Sequence, residues 1–229
     1  MSGLCGLATR HGALGSNPVR DAARIPQPKR QPRALTLAEA RQLRAWLTYD
    51  DRAMERDLPD LVSMLMATAL RIGECLALMW NDVDLERQTI TVRSTVVRLS
   101  GRGLTVKATK TAAGARTLIL PAWCVEMLCA RKSITYRHDQ PVFPAQLGGL
   151  RDPGNTRADF RDAFRAAGFS WVTAHTFRRS VATWMDAGGL SVRAGADQLG
   201  HARPSITMDS YWGRKVRDTG AAAVLESLG

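Results

Sequence analysis

Between Thr89 and Val97 the hydrophobic period switches from that of a helix to that of a strand, and this switch restricts the architectures open to the chain. Before it the pattern is helical. Thr36 with Glu39 three residues on forms a capping box, and Leu37, Ala40, Leu43, Trp46 and Leu47 follow at helical spacing. Leu58 to Leu70 is apolar on most sides and predicts a buried helix, and Gly73 to Met79 a shorter one. Thr89-Ile90-Thr91-Val92-Arg93-Ser94-Thr95-Val96-Val97 is then β-branched and alternating, as a strand requires. Gly101-Arg102-Gly103 turns it back into Leu104 to Lys107, and a second turn at Thr109 to Ala115 precedes Arg116 to Leu120. Helical patterns resume over about 122–132, 156–167, 176–187, 192–199 and 205–212. The expected fold class is α+β, mainly helical with a small three-stranded antiparallel sheet.

Ahead of this body lie residues 1–24, too few to bury a core of their own. Gly3 to Arg10 reads as a helical end and Ser16-Asn17-Pro18 as a turn. Residues 25–34 interleave Pro26, Pro28 and Pro32 with Lys29, Arg30 and Arg33. Proline holds such a segment extended, so it reads as a basic linker able to follow a phosphate backbone, or as a plain solvated tether. The formal net charge of the chain is +11, and residues 1–35 hold six basic side chains against Asp21 alone. A basic arm on a moderately basic body points to a polyanion, most simply nucleic acid.

Other classes fit poorly. The longest nearly apolar run, Leu61 to Leu70, falls far short of the roughly 18 residues of a membrane span. No basic-then-apolar secretory pattern opens the sequence. Cys5, Cys75, Cys124 and Cys129 show neither CxxC spacing nor a neighbouring His pattern, so a reducing, cytoplasmic setting is expected.

Four places set charged or polar residues against segments that read as buried or tightly turned. Arg71 follows the apolar run, three residues before Glu74, so a carboxylate can orient the guanidinium; by itself the pair reads as a structural ion pair. Lys110 sits at a hairpin tip, where a lysine is ordinarily just solvated but can also reach a cleft and donate a proton. His175 and Arg178 present nitrogen donors near a helix N-terminus, which suits an anion as well as a structural hydrogen bond. Leu199-Gly200-His201 is followed ten residues later by Tyr211, which alone is an ordinary amphipathic tyrosine. Together these form a cationic set with one nucleophile, suited to a phosphodiester transition state that gathers negative charge.

The ordered set resembles the catalytic domain of the tyrosine recombinases, the phage integrase family. The resemblance is carried by Ala69-Leu70-Arg71-Ile72-Gly73-Glu74, Leu78 to Asp84, Lys110-Thr111 with Arg116, His175-x-x-Arg178 and Leu199-Gly200-His201 with Tyr211. It implies that Tyr211 attacks a DNA phosphodiester to give a 3′-phosphotyrosyl link and a free 5′-hydroxyl. It further implies that Arg71 and Arg178 hold the non-bridging oxygens and that Lys110 protonates the leaving oxygen. The same resemblance implies that His175 assists deprotonation of Tyr211, that His201 hydrogen-bonds the scissile phosphate and that Glu74 supports Arg71.

By the same resemblance residues 35–213 are the catalytic domain, and 1–24 are a remnant of an N-terminal core-binding DNA domain. Residues 214–229, with Ala221 to Leu225 and Leu228, form a tail able to dock in trans. The implied partners are double-stranded DNA recombination sites, three further protomers in a tetramer on DNA, and an excisionase or host accessory factor. No cofactor is implied, and no Asp/Glu cluster has metal-ligand spacing. One departure stands out: Gly114-Ala115 precede Arg116 where the family often has Ser. The alternatives are a DNA-binding fragment or regulatory relative without recombination of its own, a type IB topoisomerase-like enzyme and, more distantly, a metal-dependent nuclease.

Overall fold

The computed structural model describes residues 2–22, 33–109, 115–135 and 140–201. The chain divides into two compact units, residues 1–33 and 34–229. In the first, helix α1 (Ser2–Arg10) is followed by the single turn α2 (Pro18–Asp21). Asn17 caps α2 by accepting from the Val19 amide, and Pro18 occupies the first helical position, where a missing N–H costs nothing.

The second unit opens with the predicted capping box. Thr36 Oγ1 accepts from the Glu39 amide, and Glu39 reaches back to the Thr36 amide at 2.9 Å, starting α3 (Leu37–Tyr49). The short helix α4 (Asp51–Glu55) leads into α5 (Leu58–Thr68), whose Leu58, Leu61, Val62, Met64 and Leu65 are fully buried. Helix α6 (Ile72–Leu76) is buried throughout and ends before the predicted Met79. Beyond the strands lie α7 (Ala122–Thr135), α8 (Pro153–Ala166), α9 (Ala174–Ala187) and α10 (Val192–Leu199). One core spans most of these elements, with Phe160, Phe164 and Phe177 packed ring against ring between α8 and α9. Among the described residues no helix is long and apolar enough to cross a membrane.

The α+β class holds, but the strands are arranged differently from the expected meander. The run from Thr89 to Val97 is two strands, β2 (Thr89–Val92) and β3 (Ser94–Leu99), in different sheets. A two-residue strand β1 (Val83–Asp84) pairs with β2, and β2 pairs with β5 (Arg116–Ile119), giving an antiparallel order β1-β2-β5. Strand β3 instead pairs with β4 (Gly103–Ala108) as a separate hairpin turned by Gly101 and Gly103, both at positive φ. Arg93 marks the break: its side chain binds the carboxylate of Asp82, while its carbonyl accepts from the Thr109 amide at 3.0 Å. Local alternation cannot reveal that break, because the partner of Arg93 lies eleven residues back on another element.

Candidate active site

The site is built where two helices end. Helix α5 stops at Thr68 because Ala69 adopts the left-handed conformation (φ 59°), and α10 stops at Leu199 because Gly200 does the same (φ 63°). A helix C-terminus leaves carbonyls without intrahelical donors and carries partial negative charge, so it attracts cations. Both ends meet that need here with side chains. Arg178 of α9, 1% exposed, donates from Nη1 to the Ala69 carbonyl at 2.9 Å and from Nη2 to the Leu199 carbonyl. Arg116 of β5 donates from Nε to the Gln198 carbonyl at 3.0 Å, and the Gln198 side-chain amide donates to the Thr68 carbonyl at 3.1 Å.

The turn after α5 carries Arg71, directly ahead of α6. Its amide donates to Glu74 Oε2 at 3.1 Å and its Nη1 to Glu74 Oε1 at 2.7 Å. Arg71 is therefore oriented by Glu74 as expected, but it is not buried: its side chain is 48% exposed, whereas that of Glu74 is 5% exposed. Glu74 also holds Arg116, whose Nη2 lies 3.2 Å from Oε2. Burial pushes the Glu74 carboxyl upward, but Arg116, then the Arg71 amide and guanidinium, outweigh it and hold the group below its ordinary range.

His201 lies against Arg178, with Nε2 2.8 Å from Nη2. A guanidinium only donates, so Nε2 accepts and the ring proton of neutral His201 sits on Nδ1. Burial first, then Arg178, Arg71 and Arg116, with Glu74 opposing, push its pKa down to about 4. His175, at the exposed start of α9, is also lowered, by desolvation and then by Arg179, Arg178 and Arg71. Both imidazoles are thus neutral at neutral pH, surrounded by cations.

Of the predicted residues, the fold brings together Arg71, Glu74, His175, Arg178 and His201. Arg33 is exposed in the other unit. Lys29, Arg30, Lys110 and Tyr211 lie outside the described residues, as do the linker from residue 25 to 32, the helix expected at 205–212 and the C-terminal tail. Arg116, which entered the sequence analysis only as part of the resemblance and without a role, belongs to the cluster, as does Gln198, which the sequence did not single out. For Arg116 the available signal was its place on the strand leaving the lysine hairpin; Gln198 offers none.

The fold is that of a tyrosine recombinase catalytic domain. Across its whole length the chain superposes on the Tn1549 transposon integrase in complex with a circular intermediate DNA, at a TM-score of 0.80 and 19% identity, covering 76% of that chain. With XerA recombinase the TM-score is 0.64 at 25% identity, over 90% of this chain and 67% of the other. The chain belongs to the phage integrase family, which matches residues 33–215. It is 26% identical over 175 residues to a XerC-like tyrosine recombinase of Caldanaerobacter subterraneus subsp. tengcongensis, covering 67% of this chain and 45% of that protein. It is 28% identical over 188 residues to a putative prophage phiRv2 integrase of Mycobacterium tuberculosis, covering 77% and 48%. The chain thus spans about half the length of these two relatives.

Proposed function

We propose that this chain is the catalytic part of a site-specific DNA recombinase that cleaves and rejoins strands through a 3′-phosphotyrosyl intermediate on Tyr211. The observation that carries this reading is the convergence of Arg71, Arg116, Arg178 and two neutral imidazoles where α5 and α10 end, in a member of this family. Such a cluster suits a dianionic phosphorane in which charge builds on the non-bridging oxygens.

In the proposed reaction the phenol oxygen of Tyr211 attacks phosphorus while neutral His175 takes its proton. The bond from phosphorus to the 5′-oxygen breaks, and Lys110 donates a proton to that oxygen. The strand end is then held as a phosphodiester to tyrosine, so a 5′-hydroxyl can attack it in reverse without an external energy source. Arg71, the accessible guanidinium, binds the non-bridging oxygens in bidentate fashion. Arg178 works from beneath, through its field and by holding His201 at Nε2, and the imidazole serves the phosphate from its Nδ1 side.

In this reading double-stranded recombination sites are the substrate and a tetramer on DNA is the working form. Lys29, Arg30 and Arg33 follow the backbone, residues 1–24 are the remnant of a core-binding domain, and the tail from residue 214 docks on a neighbouring protomer. The test is selection of covalent adducts from randomised duplexes carrying a nick. Adducts that survive denaturant, form in EDTA and vanish in Tyr211→Phe are expected. Adducts retained in that variant, or none from any sequence pool, overturn the proposal.

A further inference from the structure

We propose that Gln198 is a positioning residue that latches the His201 turn to the Arg71 turn. The inference rests on the recombinase reading for its consequence, but its geometry stands alone. Thr68 and Ala69 end α5, and Gln198 and Leu199 end α10, so these four carbonyls lack helical donors. Arg178 supplies Ala69 and Leu199, Arg116 supplies Gln198, and the Gln198 amide supplies Thr68. Gln198 is thus both acceptor and donor: its carbonyl ties α10 to the strand that holds Glu74, and its side chain ties α10 to the residue three before Arg71.

Among the described residues the apolar packing at this junction is a small cluster of Leu199 with Ala69, Val181 and Ala182, with Trp184 and Met185 partly buried beside it and Trp184 also touching the main core. A cluster of that size fixes the spacing of the helix ends more than their rotation, which the directed bonds of Arg178 to Ala69 and Leu199 and of Gln198 to Thr68 restrict together. His201 follows Gln198 by three residues, its amide bonded back to the Ala196 carbonyl at 2.9 Å. Any twist of the last turn of α10 therefore carries the imidazole away from Arg178. Loss of the latch moves a ring that faces Arg178, Arg71, Arg116 and Glu74, and its titration reports that movement.

Gln198→Met keeps the side-chain length without the amide, and Gln198→Ala removes the side chain beyond Cβ; neither adds a charge beside His201. Either variant, whichever retains the native melting profile, is followed by NMR titration of the His201 ring in the DNA-free chain. The expected result is a rise of at least about one pH unit from the native value near 4. At saturating nicked duplex, single-turnover adduct formation should fall about tenfold while duplex affinity changes less than twofold. A native His201 titration in the variant overturns the latch, whatever happens to DNA. A shifted titration in a chain that forms no adduct even as the native protein sustains the latch and defeats the recombinase reading.

Discussion

Arg178 and His201 form a buried pair, Nη2 to Nε2 at 2.8 Å, in which a guanidinium with 1% exposure is covered by an imidazole with 8%. The same guanidinium closes two helix ends through the carbonyls of Ala69 and Leu199. A residue expected to grip substrate is therefore also a fastener of the fold.

Replacing Arg178 by Ala leaves two helix-end carbonyls and His201 Nε2 without this donor inside the protein. Unsatisfied buried groups cost about 1–3 kcal/mol each, reduced where water enters the vacated space, so a loss of about 3 kcal/mol is expected. Urea unfolding measures it. A loss below about 1 kcal/mol would show that the guanidinium is not a structural fastener.

Stability should depend on pH through the same pair. The folded pKa of His201, about 4, lies below the unfolded value of 6.5, so the unfolded chain binds more protons between those limits. The contribution of neutral His201 is full above pH 6.5 and is lost as pH falls toward 4, roughly 3 kcal/mol in all. Glu74, also lowered, adds a loss in the same direction as pH falls through its own depressed value, below 4.5. Unfolding midpoints measured from pH 7 to pH 4 should fall less steeply in His201→Gln, which can still accept from Arg178 but does not titrate. Equal slopes in the two proteins would contradict the assigned environment.

Gly73 lies between Arg71 and Glu74 in α6, where helix propensity alone favours alanine by up to about 1 kcal/mol. A Cβ at this position would stand 2.5 Å from Thr95 Oγ1 and 2.8 Å from the Val96 carbonyl oxygen. Gly73→Ala should therefore force α6 and β3 apart and cost about 2 kcal/mol, read as a lower thermal midpoint. A stabilised variant would show that the two elements are not in contact.

What the sequence could reveal divides along the range of the interactions. The Thr36–Glu39 box and the buried α5 stand as read, because each depends on residues within a turn or two. Arg71 and Glu74 likewise meet at a separation of three. The break at Arg93 escaped because Asp82 imposes it from a different element. Ala69 was unreadable for a different reason. Alanine is a poor left-handed residue, and the conformation is held there by Arg178, 109 residues away. Arg116 and Gln198 act on partners 42, 82 and 130 residues distant, which no local pattern encodes.

The proposed chemistry is decided by where the DNA is attached. Mass spectrometry of a nuclease-trimmed, denatured adduct from a nicked duplex reads both the residue and the polarity. A single modified peptide is expected, with a 3′-linked nucleotide phosphate on Tyr211 and a free 5′-hydroxyl on the released strand. A phosphate on any other residue, or a 5′-linked nucleotide on Tyr211, would contradict it.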